Sequence, residues 1–277
     1  MTIRYAGRLV DVVVVVPARD EADRIGACLR SVRASLQQAV RAGAVGQVAV
    51  AVVGHRCVDD TLGRAAPVLA GLPHVLIGDT TATTVGEVRA LGVRAALDLL
   101  PGGRSDPGRP LRSPRGGAAR EVWILNTDAD SVVPATWVID VLAHARGGHQ
   151  AIVGLARLDR LHRPANPARP APARPAVALA YRRIITAGFR GRFHDHVYGA
   201  NLAVRADAYA AVGGFPYVRV GEDRALLDAL AEHGRPLVRP RDVVVTTSAR
   251  RDGRAVGGLA TLLDTLDRTH PPMTDDD

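Results

Sequence analysis

The stretch Glu121-Val-Trp-Ile-Leu-Asn-Thr-Asp-Ala-Asp130 decides the architecture, because a strand-like run, Glu121 to Leu125, leads into two carboxylates at positions i and i+2. A buried strand that ends in acids puts them at the carboxyl edge of an open α/β sheet, where ligands of such sheets bind. Two carboxylates on a chain leaving the sheet can face one cavity and offer hard oxygen ligands to Mg²⁺ or Mn²⁺, with room left for diphosphate oxygens. The alternative is a turn in which Asp130 or Ser131 caps a helix starting near Pro134. Asp128-Ala129-Asp130 alone does not separate the two.

Upstream, β-branched runs alternate with helical patterns, the rhythm of βαβ units and a largely parallel sheet. Val10 to Val16 reads as a fully buried strand. Ile25, Cys28, Leu29, Val32 and Leu36 recur at helical spacing and predict a helix over about Glu21 to Gln38. Strands at Val48 to Val53 and His74 to Ile77 and helices at Asp59 to Ala70 and Val85 to Leu100 continue the pattern. Downstream, the sequence predicts a helix at Ala176 to Gly188 and a strand near Asn201 to Val204. A helix at Glu222 to His233, a strand at Leu237 to Thr246 and a helix at Leu259 to Arg268 follow. Two segments break the rhythm: Pro101 to Ala119, rich in Gly, Pro and Arg, reads as a mobile insertion, and the proline-rich Arg160 to Pro175 as an extended loop.

Composition narrows the function. Of 277 residues, 47% are apolar, enough to bury a substantial core. No apolar run is long enough for a membrane span, and Val12 to Val16 is too short for a signal-peptide core, so a cytoplasmic protein is expected. Cys28 and Cys57 have neither disulfide-framework nor metal-site spacing. The formal charge is +8, and all 36 basic residues are arginine. Such a surface favours anionic partners, nucleotide phosphates or acidic lipid headgroups among them. With 4% aromatics, stacking on nucleic-acid bases is disfavoured. There is no glycine-rich phosphate loop after the first strand; Pro17-Ala-Arg-Asp-Glu21 stands there instead, against a dinucleotide or P-loop site.

Val13-Val-Val-Val-Pro-Ala-Arg-Asp-Glu21, Asn126-Thr-Asp-Ala-Asp130, Gly199-Ala-Asn-Leu202, Gly213-Gly-Phe215 and Gly221-Glu-Asp223 occur in an order that resembles the family 2 glycosyltransferases of GT-A fold, from about Val10 to Gly258. The resemblance implies an α/β GT-A-like fold: one domain, 1–270, with a central mostly parallel (mixed) sheet flanked by helices. A nucleotide-binding half would cover about 8–130 and an acceptor half about 131–270, with a disordered tail at 271–277. It also implies a nucleotide-diphosphate sugar donor, a hydroxyl-bearing acceptor that is a small molecule or a lipid, a divalent cation (Mg²⁺ or Mn²⁺), and inversion at the anomeric carbon. Pro17, Ala18, Arg19 and Glu21 would line the nucleoside pocket together with Gly54. Asp128, Ala129 and Asp130 would meet the ribose and diphosphate, with Asp130 and Asp128 on the metal. Arg89 would sit near the diphosphate, unless it is an exposed helix arginine. Gly199, Ala200 and Asn201 would approach the sugar or acceptor.

In the same resemblance Asp223 is the base that takes the acceptor's proton, with Glu222 orienting it; without it, the two acids are what a helix N-terminus favours. Arg250, Arg251 and Arg254, after the last strand, are candidates to clamp the diphosphate, or form a solvated basic loop. His194 and His196 are metal or acceptor candidates whose more common role is structural. The chain departs from the family where Gly54 and His55 replace an acidic pair at the end of the second strand, while Asp59 and Thr61 are kept. That departure falls on the residues that would read the base. The motifs of processive members, Gln-x-x-Arg-Trp and transmembrane helices, are missing. Two other functions compete: a sugar-phosphate nucleotidyltransferase, and a basic non-catalytic module docking on nucleic acid or acidic membrane surfaces.

Overall fold

The computed structural model describes residues 10–101, 121–159, 175–250 and 258–269. The Pro101–Ala119 insertion, the Arg160–Pro175 loop, Arg251, Arg254 and the tail lie wholly or mostly outside them. From the N-terminus come β1 (Val10–Ala18), α1 (Ile25–Arg41), β2 (Val48–His55), α2 (Thr61–Leu69), β3 (His74–Asp79), α3 (Val85–Asp98) and β4 (Glu121–Asn126). Strands β1, β2 and β4 are nearly continuous in apolar residues because they are covered on both faces, whereas the edge strand β3 is half-buried; Val12 to Val16 are wholly buried. At roughly 1.5–3 kcal/mol per buried side chain, that run alone is a strong organiser of the sheet. Its valines alternate between two cores, with Val12, Val14 and Val16 packed against α1 and Val13 and Val15 against α3. Helix α1 starts at Ile25, four residues later than the periodicity implies, because Glu21 to Arg24 turn first and the Ile25 N–H bonds back to the Glu21 carbonyl at 2.8 Å. Helix α3 starts sharply at a capping box in which Thr84 and Glu87 bond each other's backbone N–H.

The second half adds β5 (Ser131–Val132), α4 (Trp137–Arg146), β6 (Ala151–Val153), β7 (Leu155–Asp159), α5 (Pro175–Ala187) and a hairpin, β8 (Phe189–Arg190) with β9 (Phe193–His194). Then follow a 3₁₀ turn (Gly199–Asn201), β10 (Leu202–Arg205), α6 (Ala206–Ala211), α7 (Glu222–Glu232), β11 (Leu237–Val238), β12 (Val244–Ser248) and α8 (Leu259–Thr269). The main sheet has seven strands in the order β11-β6-β10-β4-β1-β2-β3. It is parallel except at β10, which runs antiparallel to β4 and β6. A smaller sheet, β5-β12-β7, stands beside it.

The expected strand Leu237 to Thr246 is two strands in two sheets, β11 pairing with β6 and β12 with β7 and β5. Pro240 interrupts the run, and only the partners decide which sheet each piece joins. Strands β5 to β9 and helix α6 are too short to carry a readable periodicity. Among the described residues, no helix is long and apolar enough to cross a membrane.

Candidate active site

Strands β1, β2, β3 and β4 are parallel, so their carboxyl ends share one edge. Asp128 and Asp130 leave β4 there, and Cys28 of α1 lies beneath them, its thiol against the Asp128 carbonyl at 3.4 Å. Burial and the carboxylates of Asp130, Asp128 and Glu21 push that thiol's pKa up. Glu21, after β1, meets Arg250 at 2.6 Å, and Arg250 also reaches Asp130 at 3.2 Å. Asp130 is held further by the Thr247 hydroxyl at 3.4 Å. Burial raises the pKa of Asp130, and Asp128 adds to the rise, against the pull of Arg250 and Arg24.

On the other side of the pair stands Arg89 from α3. It is not the exposed helix arginine weighed above: its side chain is 3% exposed, bonded to Asp128 at 2.8 Å and to Glu222 of α7 at 3.3 Å. Its Nη1 has no hydrogen-bond partner. Burial works against its charge, but the carboxylates of Asp128, Glu222 and Asp223 outweigh it and raise its pKa. Two glycines make this seat. A Cβ on Gly199 would lie 2.6 Å from Arg89 Nη2, and one on Gly86 would lie 2.3 Å from the Pro216 carbonyl oxygen in the loop before α7. Asp223 is half-buried on the first turn of α7 and accepts from the Arg224 N–H at 2.8 Å.

Acidic side chains from three separated segments therefore meet at one edge. Among the described residues, and with all ionised, the carboxylates of Glu21, Asp128, Asp130, Glu222 and Asp223 exceed the guanidinium groups of Arg24, Arg89 and Arg250 by two charges. A divalent cation matches that excess, and the hard oxygen donors of Asp128 and Asp130 are of the kind Mg²⁺ and Mn²⁺ take. The buried, unpartnered Nη1 of Arg89 is a donor left over for an anionic group.

Beside this cluster lies a cavity of about 240 Å³ between the ends of β2 and β3, lined by Gly54, Arg56, Cys57, Asp59 and Asp79 among others. It is tied to the acidic cluster through Glu21 and Ala22, whose N–H groups donate to Thr61 Oγ1 at 2.8 Å and Asp59 Oδ2 at 3.0 Å. Asp20, two residues after β1, and Arg56, directly after β2, hold left-handed backbone at φ 52° and 50°. Such strain in non-glycine residues collects at sites. Where β2 lacks an acidic pair, β3 supplies Asp79, whose carboxylate meets His55 Nδ1 at 2.9 Å. Burial alone would raise the Asp79 pKa, but bonds from His55, Thr81 and the Ala82 N–H bring it down to about 2. Sequence reasoning missed this residue because the expected third strand stopped at Ile77; the signal was the acid two positions on, at the same sheet edge.

The remaining expected residues divide. Pro17, Ala18 and Arg19 lie at the end of β1 on the same edge, Arg19 exposed. Ala129 and Ala200 are buried. Asn201 is turned inward, 2% exposed. Its Oδ1 accepts from Trp137 Nε1 at 2.9 Å, and its Nδ2 donates to the carbonyls of Leu155 and Val243 at 3.0 and 3.1 Å. Its amide thus joins the two sheets, and the expected contact with sugar or acceptor is corrected to a structural role.

His194 and His196 are structural too, bonding the carbonyls of Val153 and Ile185 at 3.0 and 2.9 Å. Burial lowers the His194 pKa to about 4. The unfolded chain, with an ordinary histidine near 6.5, then binds more protons between those values, so stability falls as pH drops through that window. Melting temperature measured from pH 7 to 4 is expected to decline more steeply in the parent than in His194→Gln; equal slopes would remove His194 as the cause.

No protein-family model and no curated protein sequence matches the chain. Solved structures match its fold. S. aureus TarS 1-349 in complex with UDP-GlcNAc aligns with a TM-score of 0.55 at 16% identity, over 88% of this chain and 60% of that one. The same protein in complex with UDP gives 0.52 at 15% identity, over 86% and 60%. The mannosyltransferase PcManGT from Pyrobaculum calidifontis, in complex with GDP-Man and Mn²⁺, gives 0.53 at 20% identity, over 87% and 58%. The chain spans about three fifths of the length of these structures. At such identities the likeness is one of fold, and it agrees with the strand order above: the chain has a GT-A-like α/β architecture.

Proposed function

We propose that the chain is an inverting glycosyltransferase that moves a sugar from a nucleotide-diphosphate donor to a hydroxyl acceptor, as one catalytic unit over residues 1–270 with its nucleotide half at about 8–130. The observation that carries the reading is the doubly negative excess at the sheet edge, built by Asp128, Asp130, Glu21, Glu222 and Asp223 around Arg89 and Arg250. Structural neighbours solved with UDP-GlcNAc, and with GDP-Man and Mn²⁺, support the donor class and the cation. The free thiols Cys28 and Cys57 fit a reducing, cytoplasmic setting.

In this reading the nucleoside lies along Pro17 to Glu21, its base toward the cavity at Gly54 and Asp79. Asp128 and Asp130 would hold Mg²⁺ or Mn²⁺, which when bound would supply Lewis-acid stabilisation of the leaving diphosphate. Asp223 takes the proton from the acceptor hydroxyl while that oxygen bonds to the anomeric carbon on the face opposite the diphosphate. The bond from the anomeric carbon to the diphosphate oxygen breaks with its electron pair going to the diphosphate. Arg89 holds Asp128 and Glu222 in register, and its spare Nη1, with Arg250, answers the charge that develops on the nucleotide.

Melting the full chain with UDP, GDP, ADP and dTDP, each with and without Mn²⁺, tests the reading. One nucleotide is expected to raise the melting temperature in a metal-dependent way, worth roughly 2.7 kcal/mol at a hundredfold excess over Kd. In Asp130→Ala that metal-dependent gain should vanish. A gain that persists in Asp130→Ala, or pyrophosphate release from a nucleoside triphosphate and a sugar phosphate, would overturn the assignment.

A further inference from the structure

Residues 160–194 contain eight arginines and no acidic residue. The described end of this run is α5 and the hairpin Phe189-Arg-Gly-Arg-Phe193. Phe189 pairs with His194 and Arg190 with Phe193, leaving Gly191 and Arg192 as a two-residue turn, with Gly191 at φ 60°. Glycine at the first turn position is what a tight hairpin of this length asks for. The turn presents arginines between phenylalanines. Arg241 braces it, its guanidinium 3.7 Å from the Phe189 ring centroid and bonded to the Gly191 carbonyl at 2.7 Å.

Under the hairpin is a cavity of about 370 Å³ lined by Arg157, Arg192, Arg241, Phe189, Phe193 and Asp242 among others. The Asp242 carboxylate is taken by His144 at 2.9 Å. Arg157 and Arg192 are exposed and meet no carboxylate among the described residues. Three guanidinium groups thus line the cavity with one carboxylate, itself bonded to His144, and the excess positive charge is relieved when an anion joins them. At the cavity's rim Phe193 is turned to solvent, 44% exposed, and α5, which leads into the hairpin, carries exposed Leu179 and Ile184. This cavity is separate from the acidic cluster. Asp242 precedes β12 and Thr247, which touches Asp130, lies near its end, roughly 17 Å along an extended strand.

We propose that this face docks on an anionic lipid surface, with lipid phosphates seated among Arg157, Arg192 and Arg241 and Phe193 entering the acyl boundary. The guanidinium fork matches phosphate oxygens, and basic side chains interleaved with apolar ones suit the headgroup layer. A nucleic-acid backbone would use the arginines but leave Phe193 without a partner.

Co-sedimentation of the full chain with vesicles of phosphatidylcholine alone, and with about a third phosphatidylglycerol, tests this. Binding is expected to the anionic vesicles only, and to weaken as salt shortens the screening length from ~8 Å at 0.15 M to ~3 Å at 1 M. The double variant Arg157→Glu/Arg192→Glu should lower the partition coefficient by about 25-fold or more. Phe193→Ser should lower it about tenfold. Both variants should keep the parent's melting temperature and nucleotide response. Equal binding to neutral vesicles, or variants that partition like the parent, would overturn the proposal. So would duplex DNA displacing the chain from vesicles with Phe193→Ser behaving as parent, or inorganic phosphate stabilising the chain while no vesicle binds it.

Discussion

Asp223→Asn is expected to lose roughly 10²–10⁴-fold in kcat while keeping nucleotide affinity and fold. The substitution removes the basic oxygen but not the local structure, because an asparagine Oδ1 can still accept from the Arg224 N–H that Asp223 engages at 2.8 Å. The apolar stripe Leu226, Leu227 and Leu230, which seats α7 on the core, is untouched. Asp223 is half-buried on the first turn of α7, and in the proposed reading it is the carboxylate that meets the acceptor. The measurement is single-turnover transfer with the donor chosen by the melting panel, alongside the nucleotide Kd. Turnover within about threefold of the parent would remove Asp223 as the base.

Arg89→Ala should act in the opposite sense, through the fold first and catalysis second. It takes away the cation between Asp128 and Glu222 and leaves two carboxylates facing a space shaped for a guanidinium. Removing one partner of a buried ion pair costs about 3–5 kcal/mol. Asp128 is 39% exposed and water offsets part of the loss there, so the lower end is expected. At ~2–4 °C per kcal/mol for a chain of this size, the melting temperature should fall by roughly 6–12 °C. Arg89→Lys keeps the charge but not the fork that spans both acids, so it should fall between the two. Metal-dependent nucleotide stabilisation should weaken with it, because Asp128 loses the contact that orients it. A melting temperature within about 2 °C of the parent would mean that Arg89 does not hold the cluster together.

These predictions rest on residues of unequal legibility. The β1 to β4 rhythm could be read directly, since strands covered on both faces are written as unbroken valine and isoleucine runs. Asp128 and Asp130 follow such a run and Glu222 and Asp223 open a striped helix. Their chain positions were therefore visible before their meeting was. The short strands β5 to β9 were not, because two to five residues carry no readable period, and neither was the division of Leu237 to Ser248 between two sheets.

What the sequence determined by itself is the layered α/β framework and the sheet edge on which acids must gather, because local hydrophobic pattern and strand direction suffice for both. Tertiary structure alone decided which charges pair: Arg89 with Asp128 and Glu222, Arg250 with Glu21 and Asp130, and Asp79 with His55. It also turned Asn201 inward to Trp137. Partners separated by tens to more than two hundred positions leave no local period. Whether an arginine is solvated or buried depends on space that other segments create, as Gly199 and Gly86 do for Arg89.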